Sequence, residues 1–204
     1  MIIIVNKKYL IGIDEVGRGP LAGPMMVGAI AIAGEPPAAQ FLEGIKDSKK
    51  LTKLQREKWS KKIWAEKEKA GNINIAIVSI SPAVIDKFGI SPSLKLAVAK
   101  CLKILVGQDD EYQIMLDGSL YAPEKYKNQQ TIIKGDEKIP IISAASVVAK
   151  VYRDNLMQKL HKKYPEYGFD AHKGYGTAAH IAAIKKHGLS TLHRRSFCRN
   201  INLS

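Results

Sequence analysis

The chain has 204 residues, with 32 Lys and Arg against 19 Asp and Glu, a formal net charge of +13. At 46% hydrophobic and 25% charged residues it holds enough apolar material for one substantial core, which excludes a disordered or low-complexity chain. Cys101 and Cys198 are too few for a disulfide framework or a cysteine metal cluster, and the positive balance favours a polyanionic partner, most simply nucleic acid.

The apolar run Met1 to Val5 is too short for a secretory signal and far too short for a membrane span, and no later uncharged stretch reaches span length. The expected location is therefore the cytoplasm. Ile2 to Val5 reads as a short strand or as the lead-in to a strand over Tyr9 to Asp14, which breaks into Gly17-Arg18-Gly19-Pro20. Met25 to Ile32 is apolar almost throughout, the pattern of a strand buried on both faces. Glu35-Pro-Pro-Ala reads as a turn, and the polar Asp47-Ser-Lys-Lys50 precedes an amphipathic helix over Leu51 to Lys69. A strand follows at Ile73 to Ile80, then helical turns at Ala83 to Phe88 and a helix at Ser93 to Leu105. Tyr112 to Leu116 and Thr131 to Lys134 are short strands running into Asp117-Gly118 and Gly135-Asp136. Beyond Pro140 helices take over: Ile142 to Leu160, starting around Ser143, and Thr177 to Lys186, closed by Gly188. A polar glycine-containing loop, Gly168 to Gly176, separates them. Arg194 and Arg195 sit in a basic tail without evident secondary structure. The expectation is one domain over 1–204: an α/β core to about residue 140, then a helical C-terminal part over about 141–204 that carries a substrate-contacting loop.

Asp14, Glu15, Asp117 and Asp136 all stand where strands give way to glycine. Beyond the strand ends of an open α/β sheet such groups can converge although distant in sequence. Clustered carboxylates repel each other unless a cation neutralises them, and ligation by oxygen without His or Cys points to Mg²⁺ or Mn²⁺. Strand side chains alternate, so Asp14 and Glu15 face different ways unless the strand is ending there. One is then an inward ligand and the other reaches the site from the side. A basic protein that gathers its acids in this way has the character of a metal-dependent nuclease.

Gly12-Ile-Asp-Glu-Val-Gly-Arg-Gly-Pro-Leu-Ala-Gly-Pro24 resembles the signature of type 2 ribonucleases H, the ribonuclease HII family. Asp47-Ser-Lys-Lys-Leu51, Leu116-Asp-Gly118, Lys134-Gly-Asp136, Ser143 to Lys150 with Arg153-Asp154, His172 to Thr177 with His180, and Leu192 to Phe197 extend the resemblance over most of the chain. It implies an RNase H-like fold, a mixed central sheet flanked by helices with a helical C-terminal part. It implies a metal-dependent endoribonuclease acting on the RNA strand of RNA/DNA hybrids; a monomer is the default expectation. Duplex DNA would be nicked on the 5′ side of single embedded ribonucleotides, leaving 5′-phosphate and 3′-hydroxyl ends. The roles that follow are ribonucleotide removal and RNA primer processing.

By the same resemblance Asp14, Glu15, Asp117 and Asp136 are the catalytic, metal-binding carboxylates, with two Mg²⁺ or Mn²⁺ ions per site and Asp14 bridging. Gly17, Arg18 and Gly19 lay backbone against the ribose 2′-hydroxyl, and Tyr175 stacks on the next sugar at the RNA–DNA junction. Ser48, Lys49, Ser146, Lys150, Arg194 and Arg195 are the expected phosphate contacts, aided by a helix N-terminus near Ser143. Asp154 is assigned to a salt bridge with Arg153, and His172 and His180 to ordinary polar positions. Two alternatives stay open: a ribonuclease HIII-like enzyme confined to RNA tracts, and a catalytically inert nucleic-acid binder. The thirteen residues before Asp14 leave no room for the N-terminal substrate-binding domain of the HIII type, and nothing near Phe197 to Ser204 forms a clamp-binding pattern.

Overall fold

The computed structural model of the chain describes residues 8–34, 36–107 and 111–202. The strand expected at Ile2 to Val5 lies outside them, as does Glu35 of the expected turn. Five strands form one sheet in the order β3-β2-β1-β4-β5: β1 (Lys8–Val16), β2 (Met25–Ala33), β3 (Ile73–Ile80), β4 (Glu111–Asp117) and β5 (Gln129–Ile132). β1, β2 and β3 run antiparallel, whereas β4 and β5 join parallel to β1, so the sheet is mixed.

Helices cover both faces. α1 (Lys53–Ala70) starts on a capping box in which the Thr52 hydroxyl accepts from the Gln55 amide and the Gln55 side chain accepts from the Thr52 amide. It ends on Gly71 in the left-handed region. α2 (Pro82–Phe88) begins on the Ser81 cap with proline in its first turn, and α3 (Ile90–Leu105) follows directly. α4 (Gly135–Lys138) is a single turn, and α5 (Pro140–Lys163) is the longest helix. The prolines that read as a turn instead open a 3₁₀ helix, Pro36–Leu42.

β2 is buried on both sides because its alternate residues enter two cores. Met25, Val27 and Ala29 face Ile85 of α2 and the α3 residues Leu94, Val98 and Leu102. Ile30 and Ile32 face α1 and α5 through Ile63, Ile142, Ala145 and Val148. α5 lies close to the sheet because Gly12 and Gly28 present no side chain to it. A Cβ on Gly12 would stand 2.5 Å from the Ile141 carbonyl, and one on Gly28 2.7 Å from that of Ala145.

Beyond α5 come a 3₁₀ turn Pro165–Tyr167, α6 (Phe169–His172) and α7 (Ala178–His187), capped by Thr177 and closed at Gly188. Ala22, Met157, Tyr167, Phe169 and Ile184 form a third, smaller core there. The tail is structured too: Arg195–Phe197 is a 3₁₀ turn, anchored where the Arg195 and Ser196 amides donate to Asp86. Among the described residues no helix is long and apolar enough to cross a membrane.

Candidate active site

The pairing of β1 decides the site. On one side β1 stays paired with β2 as far as Val16↔Met26, but on the other its pairing with β4 stops at Ile13↔Leu116. The strand therefore does not end at Asp14, as the alternation argument allowed; it loses one neighbour there. Asp14 lies opposite Gly28, on the face that α5 covers. Glu15 belongs to the opposite face and reaches past the end of the β1–β4 pairing. One oxygen each from Asp14, Glu15 and Asp117 come within 4.8 Å of one another. A side-on approach by the longer glutamate is thus how adjacent strand residues converge.

These acids are held at a cost in charge. Burial, then Glu15 and Asp117, push the Asp14 carboxyl well above its ordinary range, against a hydrogen bond from Ser146. Glu15 is raised by burial, although the Arg18 guanidinium, 3.2 Å away, pulls it down. Arg18 also donates to Ser119 Oγ at 3.2 Å and with it lines a cavity of about 310 Å³ bounded by Ser91, Lys95 and Tyr121. Sequence reasoning missed Ser119; its place directly after the Leu116-Asp-Gly118 motif was the available signal.

Asp136 stands apart from the three clustered acids. It lies in the first turn of α4, not at a strand end, because Lys134 turns the chain through φ 55°. Its amide donates to Asp117 Oδ1 at 3.1 Å, and its own carboxylate receives Lys49 Nζ at 3.0 Å. That hydrogen bond is the main reason the Lys49 ammonium titrates above its ordinary value.

The expected phosphate contacts divide. Ser48 and Ser146 are buried, their hydroxyls 2.9 Å apart beside Asp14. Lys150 is paired with Asp154 at 2.8 Å; the partner of Asp154 is therefore Lys150 one turn away, not Arg153. α5 begins at Pro140, three residues before Ser143, and the Ser143 amide already donates to the Ile139 carbonyl at 3.0 Å, so it is not free for an anion. The Ser143 hydroxyl instead donates to the Asp136 carbonyl at 2.7 Å. The Arg195 side chain is exposed.

Arg194 is not placed for a phosphate contact. It has no exposed surface, and its guanidinium donates to the carbonyls of Gly17, Arg18 and Gly23 at 2.7–3.1 Å. It holds the glycine turn from behind and has no face left for a phosphate. Arg153, equally buried, donates to the carbonyls of Pro24, Lys173 and Ala22. Gly17, at φ +84°, could carry no Cβ, which would stand 2.3 Å from Arg153 Nε. Gly19 has free space around it.

The loop bearing Tyr175 docks on this turn, since Gly174 O accepts from the Leu21 and Ala22 amides. The Tyr175 ring is 42% exposed and lies 6.0 Å from the Arg153 guanidinium. The three elements are linked by contacts: Arg18 of the glycine turn pairs with Glu15 of the acid cluster, and the loop of Tyr175 docks on the same turn through Gly174.

The family model described as Ribonuclease HII matches residues 11–200. The chain belongs to the ribonuclease HII family. It is 42% identical over 195 residues to the ribonuclease HII of Polynucleobacter asymbioticus, covering 95% of this chain and 94% of that one. The ribonuclease HII of Acetivibrio thermocellus is 44% identical over 194 residues, with coverage of 95% and 71%. Among solved structures, ribonuclease H2 from Pyrococcus horikoshii OT3 superposes with a TM-score of 0.72 at 28% identity, covering 95% and 96% of the two chains. Ribonuclease HII membership makes the chain a metal-dependent ribonuclease H on an RNase H-like fold. The donor set fits a divalent cation: oxygen ligands, clustered closely enough to share an ion and disfavoured as bare charges.

Proposed function

We propose that this ribonuclease HII nicks duplex DNA on the 5′ side of a single embedded ribonucleotide, and also cuts RNA strands of hybrids, leaving 5′-phosphate and 3′-hydroxyl ends. The observation that supports it is the union of the acid cluster with a clamped glycine turn and the Tyr175 loop. Asp14, Glu15 and Asp117 would hold Mg²⁺ or Mn²⁺, and Asp136, whose amide donates to Asp117 and whose carboxylate is now paired with Lys49, would complete a site for two ions on leaving that lysine. When bound, the ions supply Lewis acidity at the scissile phosphate and lower the pKa of water.

The remaining work belongs to the protein. Gly17-Arg18-Gly19 offers backbone to a 2′-hydroxyl, which donates and accepts where deoxyribose can do neither. Tyr175 supplies a flat face to the following sugar. Ser146 orients the Asp14 carboxylate, and Ser48 orients Ser146. Lys49, Lys150 and exposed Arg195 are the side chains for phosphates, the first two exchanging a carboxylate partner for a phosphate oxygen.

The test uses a DNA duplex with one internal ribonucleotide, incubated with protein and Mg²⁺ or Mn²⁺, beside an all-DNA control. A single nick 5′ of the ribonucleotide, lost with chelator, is expected. Cleavage of RNA tracts without the lone ribonucleotide would favour HIII-like specificity, and binding without cleavage under both ions would refute the enzymatic reading.

A further inference from the structure

Outside the acid cluster, His172, His180 and His193 form a second close group of titratable side chains. His180 is fully buried and His193 is 3% exposed, packed among Tyr167 and Phe169. The His172 and His180 rings stack with centroids 4.3 Å apart. Their partners assign every ring proton. The Tyr175 carbonyl lies 2.9 Å from His180 Nδ1, and a carbonyl only accepts, so Nδ1 carries the proton. The Ser190 amide donates to His193 Nδ1 at 3.0 Å, and the Ser190 hydroxyl, 2.9 Å away, can turn its proton to the same nitrogen; the fixed amide N–H leaves Nδ1 bare and puts the proton of a neutral His193 on Nε2. The two Nε2 atoms face each other at 3.1 Å, which needs one proton between them: His193 donates and His180 accepts. His172 follows the same logic, accepting from the Gly174 amide at Nδ1 and donating from Nε2 to the Tyr167 carbonyl at 2.8 Å.

A directed chain therefore runs from the Ser190 amide through His193 and His180 to the backbone of Tyr175, with His172 holding Gly174 beside it. It is consistent only with neutral rings, since a second proton on His180 or His193 would set two N–H groups face to face or against an amide. Burial supports this, holding His193 down to about 4 and His180 below its ordinary value. An apolar core would fill the same volume, but it could not donate to the Tyr175 carbonyl.

We infer that His180 and His193 are positioning residues for Tyr175, fixing the loop so that its ring meets the sugar next to the ribonucleotide and sets the preference for lone ribonucleotides over RNA tracts. The inference rests on the proposed junction role of Tyr175.

Long-range ¹H–¹⁵N NMR on the full chain at pH 7 is the first test. His180 is expected as the Nδ1–H tautomer, His172 and His193 as Nε2–H tautomers. His180 as Nε2–H, or averaged between tautomers, would overturn the inference whatever the enzyme does. The second test compares kcat and KM on single-ribonucleotide and RNA-tract duplexes. Losing one such hydrogen bond should lower the single-ribonucleotide preference of His193→Phe about fivefold to tenfold. The change should fall mainly on KM for that substrate, leave kcat on tracts near wild type, and recover in His193→Gln, which can both donate and accept. Tyr175→Ala is the control. If it lowers the preference while His193→Phe does not, the positioning role is refuted; if it leaves the preference unchanged, the junction role of Tyr175 fails instead. Should His193→Phe not fold, the tautomers of the wild-type protein decide.

Discussion

Acidification should unfold this protein partly through His193. In the folded chain burial and the neighbouring His180 ring lower its pKa from 6.5 to about 4, so it stays neutral. In the unfolded chain the same side chain takes up a proton near pH 6.5. Between those values the unfolded state binds one more proton, and stability falls as pH falls, by up to about 1.4 kcal/mol per pH unit. Stability is therefore complete above pH 6.5. By pH 4.5 the loss from this group alone is ~2–3 kcal/mol, a large fraction of a typical domain's stability. His180, also lowered by burial, adds in the same direction. The assay is urea unfolding of wild type and His193→Gln from pH 7.5 to 4.5, with the metal concentration fixed. Carboxylates and His180 titrate in both proteins and cancel to first order in the difference, whereas the His193 contribution is present only in wild type. The stability gap between the two should shrink by ~2–3 kcal/mol over that range. Parallel losses, with a constant gap, would show that His193 titrates equally in both states and would refute the buried neutral assignment.

Three further outcomes are expected. Asp14→Asn should lower cleavage by about 10²-fold or more while leaving the chelator-treated protein at least as stable as wild type at pH 7.5. The raised Asp14 pKa means that wild-type stability falls as pH rises past the ordinary carboxylate value, and an amide escapes that loss; thermal melts in chelator check it. Gly12→Ala should destabilise by ~3 kcal/mol or more, because the new methyl meets the backbone of Ile141 rather than a side chain that can rotate. Its urea midpoint should drop well below that of Gly19→Ala, where the added methyl meets nothing. Arg194→Lys should cost ~2–3 kcal/mol, since one ammonium cannot reach the Gly17, Arg18 and Gly23 carbonyls that the guanidinium fork serves. An unchanged melting temperature would show that the turn holds itself.

Much of the fold was legible because its signals were local. The Ile73–Ile80 strand, the Ser81-Pro82 break and the Gly188 stop all depend on neighbours within a few residues, and the structure places them as read. Of the four acids expected to converge from strand ends, Asp14, Glu15 and Asp117 do so, although β1 runs on to Val16, whereas Asp136 lies in the first turn of α4. Where reading failed, the deciding contact was distant in sequence. Nothing within ten residues of Arg194 says that it will be buried against Gly17, 177 residues earlier, so a basic tail read as a phosphate surface. Asp154 has Arg153 beside it in sequence, but adjacent helical residues point apart, and the i,i+4 partner Lys150 took the pair. His180 read as an ordinary polar position on a helix, since its two partners, Tyr175 O and His193 Nε2, come from a loop and from the tail.

Arg153 and Arg194 bear on why the glycine turn is rigid. A buried guanidinium without a carboxylate beside it is costly, and among the described residues no acid pairs with either one. Desolvation accordingly lowers both, Arg194 to about 10. Each is tolerated because its donors are matched by backbone carbonyls, and all but one of those belong to the segment from Gly17 to Pro24. A rearrangement of the turn would unpair a buried cation, which favours the observed conformation, and the tail that carries Arg194 is part of it. The arrangement also places two buried guanidinium groups, with no carboxylate in direct contact, against the turn that follows Asp14 and Glu15. Divalent ions on those acids would neutralise them, and the basic balance of the chain would then favour a nucleic acid backbone. The basic balance of the sequence is thus expressed partly inside the molecule, where it fixes geometry, and not only on the surface where the composition alone would place it.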